Sequence, residues 1–151
     1  MSNDVELKPG QCHAGKDPKE VIIVRSIGAG IAMVVYDCAN HVGGAAHFIL
    51  PSPSKDESKA EAHPKTGVPV LLKKMKELGA DLSSLSVKIV GGAGVAANPL
   101  FSFGKKIRDA AVEAIQANGL AIDKEATGGN LPRNLKFYIG TGKIELETMA
   151  Y

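Results

Sequence analysis

An α+β layered domain is the fold class that this 151-residue chain predicts. Two segments carry apolar residues at helical spacing, about seven short runs are rich in β-branched residues, and hairpin signals stand toward both ends. So many strands against two helices argue for a mixed sheet covered by helices on one side rather than for a doubly wound sheet.

The elements follow in order. Residues 1–19 are polar and predict a loosely ordered N-terminal segment. Val21-Ile22-Ile23-Val24 and Ile31-Ala32-Met33-Val34-Val35-Tyr36 read as strands, the second ended by Asp37. A turn of Cys38-Ala39-Asn40-His41 then makes residues 43–50 the return arm of an antiparallel hairpin, which Pro51 ends. Residues 52–66 are dominated by Ser, Lys, Glu and Pro, predicting an exposed loop that could cover a site as a flap. Val68, Leu71, Leu72, Met75 and Leu78 recur at helical spacing, and Gly79 stands where a left-handed cap is wanted. The run Val87-Lys88-Ile89-Val90 is a strand leading into Gly91-Gly92-Ala93-Gly94. A second helix carries Ile107, Ala110, Ala111, Ala114 and Ile115 and closes at Asn118-Gly119. Leu120-Ala121-Ile122 reads as a strand running toward Thr127-Gly128-Gly129-Asn130, and residues 135–139 and 143–147 flank Gly140-Thr141-Gly142 as a terminal hairpin. With no repeat or linker in view, residues 1–151 are expected to form one domain.

Composition excludes several classes of function. The 18 basic residues are interleaved with 16 acidic ones for a net charge of +2, so no basic face marks a nucleic-acid binder. No run reaches the roughly 18 apolar residues of a membrane span, and the first residues are polar and acidic rather than signal-like. A cytoplasmic protein without membrane insertion is the expectation. Cys12 and Cys38 are too few for a disulfide framework and are expected as free thiols. Gly92-x-Gly94-x-x-Ala97 is half of a dinucleotide fingerprint, but Asn98-Pro99 follows where a helix would have to start, so no cofactor is expected. Cys38-x-x-His41 has metal-like spacing, whereas a closed zinc site needs about four ligands; Cys12, His13, His47 and His63 stand in unrelated contexts, and no metal is expected.

One residue does not fit its strand. His47 sits inside the apolar run Ala45-Ala46-His47-Phe48-Ile49-Leu50. Its plain reading is a half-buried histidine satisfied by a backbone carbonyl. The alternative is a general base, and a base needs a partner on the neighbouring strand, where Gly28-Ala29-Gly30 leaves only glycine.

The order of these motifs carries a resemblance over nearly the whole chain. Gly28 with a key position at 30, an apolar strand to Asp37, Val42-Gly43, Ala46-His47-x-x-Leu50-Pro51, Gly91-Gly92-Ala93 and Thr127-Gly128-Gly129-Asn130 together resemble the chemoreceptor glutamine deamidase family, CheD. That resemblance implies a layered α/β/β sandwich, hydrolysis of glutamine side-chain amides on chemoreceptor cytoplasmic helices, and a CheC-like phosphatase as a further partner. It also implies roles for residues. His47 matches the family's general base, Gly30 the nucleophilic cysteine, Ala29 the serine before it, and Val24 a threonine that assists the site. Gly28, Ala29, Gly91, Gly92, Thr127, Gly128 and Asn130 would line the binding surface. The family continues toward an Ile-Gly-x-Arg-Asn segment where this chain has Phe103-Gly104-Lys105-Lys106-Ile107, and Leu100, Phe101 and Phe103 are candidate rim anchors or core.

Amide hydrolysis by this route needs a thiolate, and glycine supplies none. The expectation is a binding or regulatory protein that is not an efficient deamidase. The alternative is an active protein-glutamine amidase pairing His47 with another nucleophile, and a third reading recruits the fold outside chemotaxis. Cys38 lies eight residues beyond Gly30, roughly 26 Å along an extended strand, so it is no substitute. Cys12 next to His13 cannot be placed by sequence and is read as an inert thiol.

Overall fold

The computed structural model describes residues 3–94 and 103–149. Its strands are β1 (Asn3–Leu7), β2 (Cys12–Gly15), β3 (Glu20–Ile27), β4 (Ile31–Asp37), β5 (Val42–Phe48), β6 (Ser86–Gly91), β7 (Lys124–Thr127), β8 (Arg133–Tyr138) and β9 (Ile144–Thr148). The helices are α1 (Pro64–Glu77) and α2 (Phe103–Ala117). Instead of one mixed sheet there are two, ordered β1-β3-β8-β9 and β2-β5-β4-β6-β7.

The layering follows from strand parity, since alternate side chains leave opposite faces of a sheet. Every residue of β4 is buried. Ile31, Met33 and Val35 pack with Val68, Leu71, Met75, Ile107 and Ile115 of the two helices. Ala32, Val34 and Tyr36 pack against Ile22, Val24, Leu135 and Phe137 of the four-stranded sheet. Helices, five-stranded sheet and four-stranded sheet therefore form three layers, the α/β/β sandwich that the resemblance implies. Tyr36 ties the two sheets: its ring meets Phe137 edge-on at 5.6 Å, and its hydroxyl donates to the Ile139 carbonyl at 2.8 Å.

Gly43-Gly44 explains how β5 fits between two layers. A β carbon on Gly43 would stand 2.6 Å from Ile139 Cδ1, and one on Gly44 would stand 2.9 Å from Leu71 Cδ1 and 3.0 Å from Met75 Sδ. Both neighbours approach because the strand has nothing there to keep them away.

Three expectations need correction. The N-terminal segment is not loose between residues 3 and 15: β1 pairs in parallel with β3, β2 pairs antiparallel with β5, and Leu7 and Cys12 enter the cores. Both are edge strands, which need only one apolar face and so read as polar. The exposed loop is shorter than residues 52–66, because a 3-10 turn occupies Glu57–Ala62 and α1 starts at Pro64. Ala62 and His63 are buried, and His63 Nδ1 accepts from the Lys65 N–H to cap the helix. Leu120 and Ile122 pack partly against the helix-side core without forming a strand. The strand begins only after Asp123, whose N–H donates to the Val87 carbonyl and whose carboxylate accepts from the Val87 N–H.

Candidate active site

β3 delivers the chain to the site through a bulge. Its register to β8 slips between Val24 and Ile27, and Ser26 adopts φ 54 with its N–H donating to Asn134 Oδ1 at 2.8 Å. Gly28-Ala29-Gly30 then turns the chain into β4. On the neighbouring strand His47 stands opposite Ala32, so parity puts Gly30 and His47 on the same inter-sheet face. A β carbon on Gly30 would lie 3.1 Å from His47 Nε2 and 3.4 Å from its Cδ2. A side chain at position 30 would thus be aimed at the imidazole. The same β carbon would lie 2.6 Å from the Phe48 carbonyl oxygen, closer than real β carbons approach, so the backbone has settled around glycine.

His47 is 3% exposed. Its main-chain N–H donates to the Gln11 carbonyl and its carbonyl accepts from the Gly10 N–H, so the segment just before β2 holds its backbone. Nδ1 has no hydrogen-bond partner among the described residues. Burial pushes the imidazole pKa down to about 4, so the ring is neutral at neutral pH. Val24 is fully buried in the inter-sheet core and brings no hydroxyl.

The glycine motifs converge on this end of the sheet. The Gly92 N–H donates to the Gly30 carbonyl and the Ala93 N–H to the Gly28 carbonyl, both at 2.9 Å. Gly94 donates to the Gly129 carbonyl and Gly128 to the Gly91 carbonyl. Gly91 has φ 122, and a β carbon there would stand 2.2 Å from the Gly30 carbonyl oxygen, so only glycine fits. Thr127 pairs in register with Gly91, and its hydroxyl bonds the Glu125 carboxylate. Ala29 and Asn130 are exposed on the surrounding turns. Phe103 is 49% exposed at the start of α2, where Gly104 packs under the Gly92 and Ala93 carbonyls. Leu100 and Phe101 lie outside the described residues.

Sequence reasoning missed three charged residues that hold this junction. Arg133 donates from Nη1 to the Gly91 carbonyl at 3.1 Å and from Nη2 to the Gly128 carbonyl at 3.0 Å. Arg108 clasps Glu125 with bonds of 2.6 and 2.7 Å, fastening α2 to β7 beside Thr127. No spacing pattern marks these residues, because each acts across a distance in the chain that local sequence does not reveal.

Neither cysteine reaches His47. Cys12 pairs in register with Ala46 and packs in the helix-side core, on the opposite face of the sheet. Burial, then the Glu61 carboxylate, pushes its thiol pKa up to about 12. Cys38 is exposed beyond Asp37, at the far end of β4 from Gly30. Among the described residues no three His, Cys, Asp or Glu side chains converge to hold a metal. The site offers a neutral imidazole beside Gly30, without a thiol next to it.

Comparison with known proteins agrees with this frame. The family described as CheD chemotactic sensory transduction matches residues 49–148. A Syntrophus aciditrophicus protein named "probable chemoreceptor glutamine deamidase CheD 1" is 35% identical, covering 93% of this chain and 91% of its own. A Methanococcus vannielii relative, "probable chemoreceptor glutamine deamidase CheD", is 31% identical over 94% of this chain and 93% of its own. The Thermotoga maritima "chemoreceptor glutamine deamidase CheD" is 30% identical over 82% of this chain and 79% of its own.

Proposed function

From the premise that this chain belongs to the CheD family of chemotaxis proteins, we propose that it acts there by binding and not by efficient deamidation. The observation that carries this reading is Gly30, whose missing side chain would have pointed at His47 Nε2. The family's route attacks the glutamine amide with a thiolate, releases ammonia and hydrolyses a thioester. Here neither cysteine stands beside the imidazole, and Val24 contributes no hydroxyl. Removing a nucleophile from such a set leaves only the residual assistance of binding and backbone donors.

The binding surface of this reading is the glycine junction around Gly28, Ala29, Gly91, Gly92, Thr127, Gly128 and Asn130, with Phe103 exposed at its margin. Its partners are chemoreceptor cytoplasmic helices or a CheC-like phosphatase, and its compartment is the cytoplasm. Among the described residues no helix is long and apolar enough to cross a membrane. The alternative of an amidase served by another nucleophile loses support from the positions of Cys12 and Cys38.

Peptide mass mapping of chemoreceptor cytoplasmic fragments after incubation with the purified protein tests the proposal. Unchanged glutamines, together with cosedimentation of the fragments, are expected. Glutamine-to-glutamate conversion at ordinary enzymatic rates would overturn it.

A further inference from the structure

The sandwich is open along one side, on the strands that lead up to the Gly91–Thr127 pair of the glycine junction. There β7, the edge of the five-stranded sheet, and β9, the edge of the four-stranded sheet, flank a groove of about 390 Å³. Its apolar lining comes from Val90, Ala126, Ile144 and Leu146, the last of them 46% exposed. Lys88, Lys124 and Lys143 add three ammonium groups, the last of them already paired with Glu145 at 3.3 Å.

Two features point to an anionic occupant. Lys88 and Lys124 stand directly beside one another in the β6–β7 register, on the same face as Val90 and Ala126. Like charges so placed repel, and among the described residues neither makes an ion pair or a side-chain hydrogen bond. Both acids that flank Lys124 in the chain are engaged elsewhere: the Asp123 carboxylate accepts from the Val87 N–H, and Glu125 is held by Arg108. The second feature is β9 itself, which pairs with β8 on one side and, among the described residues, has no strand on the other. Its free edge offers backbone donors and acceptors to an extended chain.

We propose that this groove binds an extended acidic segment of a partner protein, which adds a strand to β9. Alternate residues of the incoming strand would face the groove. An apolar residue covers Val90 and Ala126, and an acidic residue two positions along meets Lys88 and Lys124. This surface is separate from the Gly30 site, so the two proposals stand or fall independently.

The test uses a dye-labelled peptide alternating threonine with leucine and glutamate, a control with glutamine for glutamate, phosphatidylglycerol vesicles and inorganic phosphate. Saturable binding of the acidic peptide, weakening as salt rises, is expected. In the K88Q/K124Q variant, affinity should fall roughly three- to tenfold. L146R should weaken both peptides, and amide shifts on binding should centre on residues 144–148. Thermal unfolding of each variant checks that it is folded. Equal affinity for wild type and K88Q/K124Q, shifts centred on Gly30 or Phe103, or binding to vesicles or phosphate without binding to the peptide would each overturn the proposal.

Discussion

His47 gives the molecule a built-in sensitivity to acid. Its pKa falls from an ordinary 6.5 to about 4 on burial, so the unfolded chain binds the extra proton more readily between those values. Its contribution is complete above about pH 6.5 and declines as pH falls toward 4, by at most ~3 kcal/mol. Urea unfolding across that window should show the decline, and His47→Leu should reduce it; His63, lowered first by its own burial and then by Lys65 and Lys106, acts in the same direction. A second expectation concerns Gly30→Ala, whose new methyl meets the Phe48 carbonyl. Thermal unfolding should report a loss of about 1–3 kcal/mol. Thiol chemistry makes a third: a native-state disulfide-exchange reagent should modify Cys38 and spare Cys12 until denaturant is added. At this scale the sequence identified His47, Gly30 and Val24 as residues worth asking about. It was silent on Arg133, because an arginine's value as a bridge between two carbonyls depends on a fold that brings those carbonyls together.

Helices were the most legible elements because each carries its own punctuation. In α1 the Gly79 N–H donates to the Lys76 carbonyl and the Ala80 N–H to the Met75 carbonyl, with Gly79 at φ 94. The same pair of bonds closes α2 at Gly119 and Leu120. Gly79→Ala adds no clash and keeps the strained φ, so a drop of about 1 kcal/mol in unfolding free energy is expected, measured by denaturant titration. Central strands were legible from their β-branched runs. The edge strands β1, β2 and β7 were not, since their identity rests on pairing with partners elsewhere in the chain rather than on a local pattern.

Across the whole molecule, the residue pattern by itself foresaw helices on one side of a single sheet, while the second β layer came only from the resemblance. Local composition tells a strand from a helix, yet it does not say which strands pair, and here β3 and β4 follow one another while entering different sheets. Layering also sets where the molecule is hardest to open. β4 is buried throughout and paired on both sides, while β9 is mostly exposed and paired on one. Hydrogen-exchange mass spectrometry should therefore find β4 amides exchanging last and β9 amides among the first. The glycine junction has a consequence for heredity. Gly28, Gly30, Gly91, Gly92 and Gly128 are joined to their neighbours by main-chain bonds, and Arg133 also grips carbonyls rather than side chains. A shape held by main-chain bonds does not depend on the side chains it presents. A new side chain at position 30, by contrast, meets His47 only by displacing the Phe48 carbonyl, so the outline of the pocket and its chemistry change together.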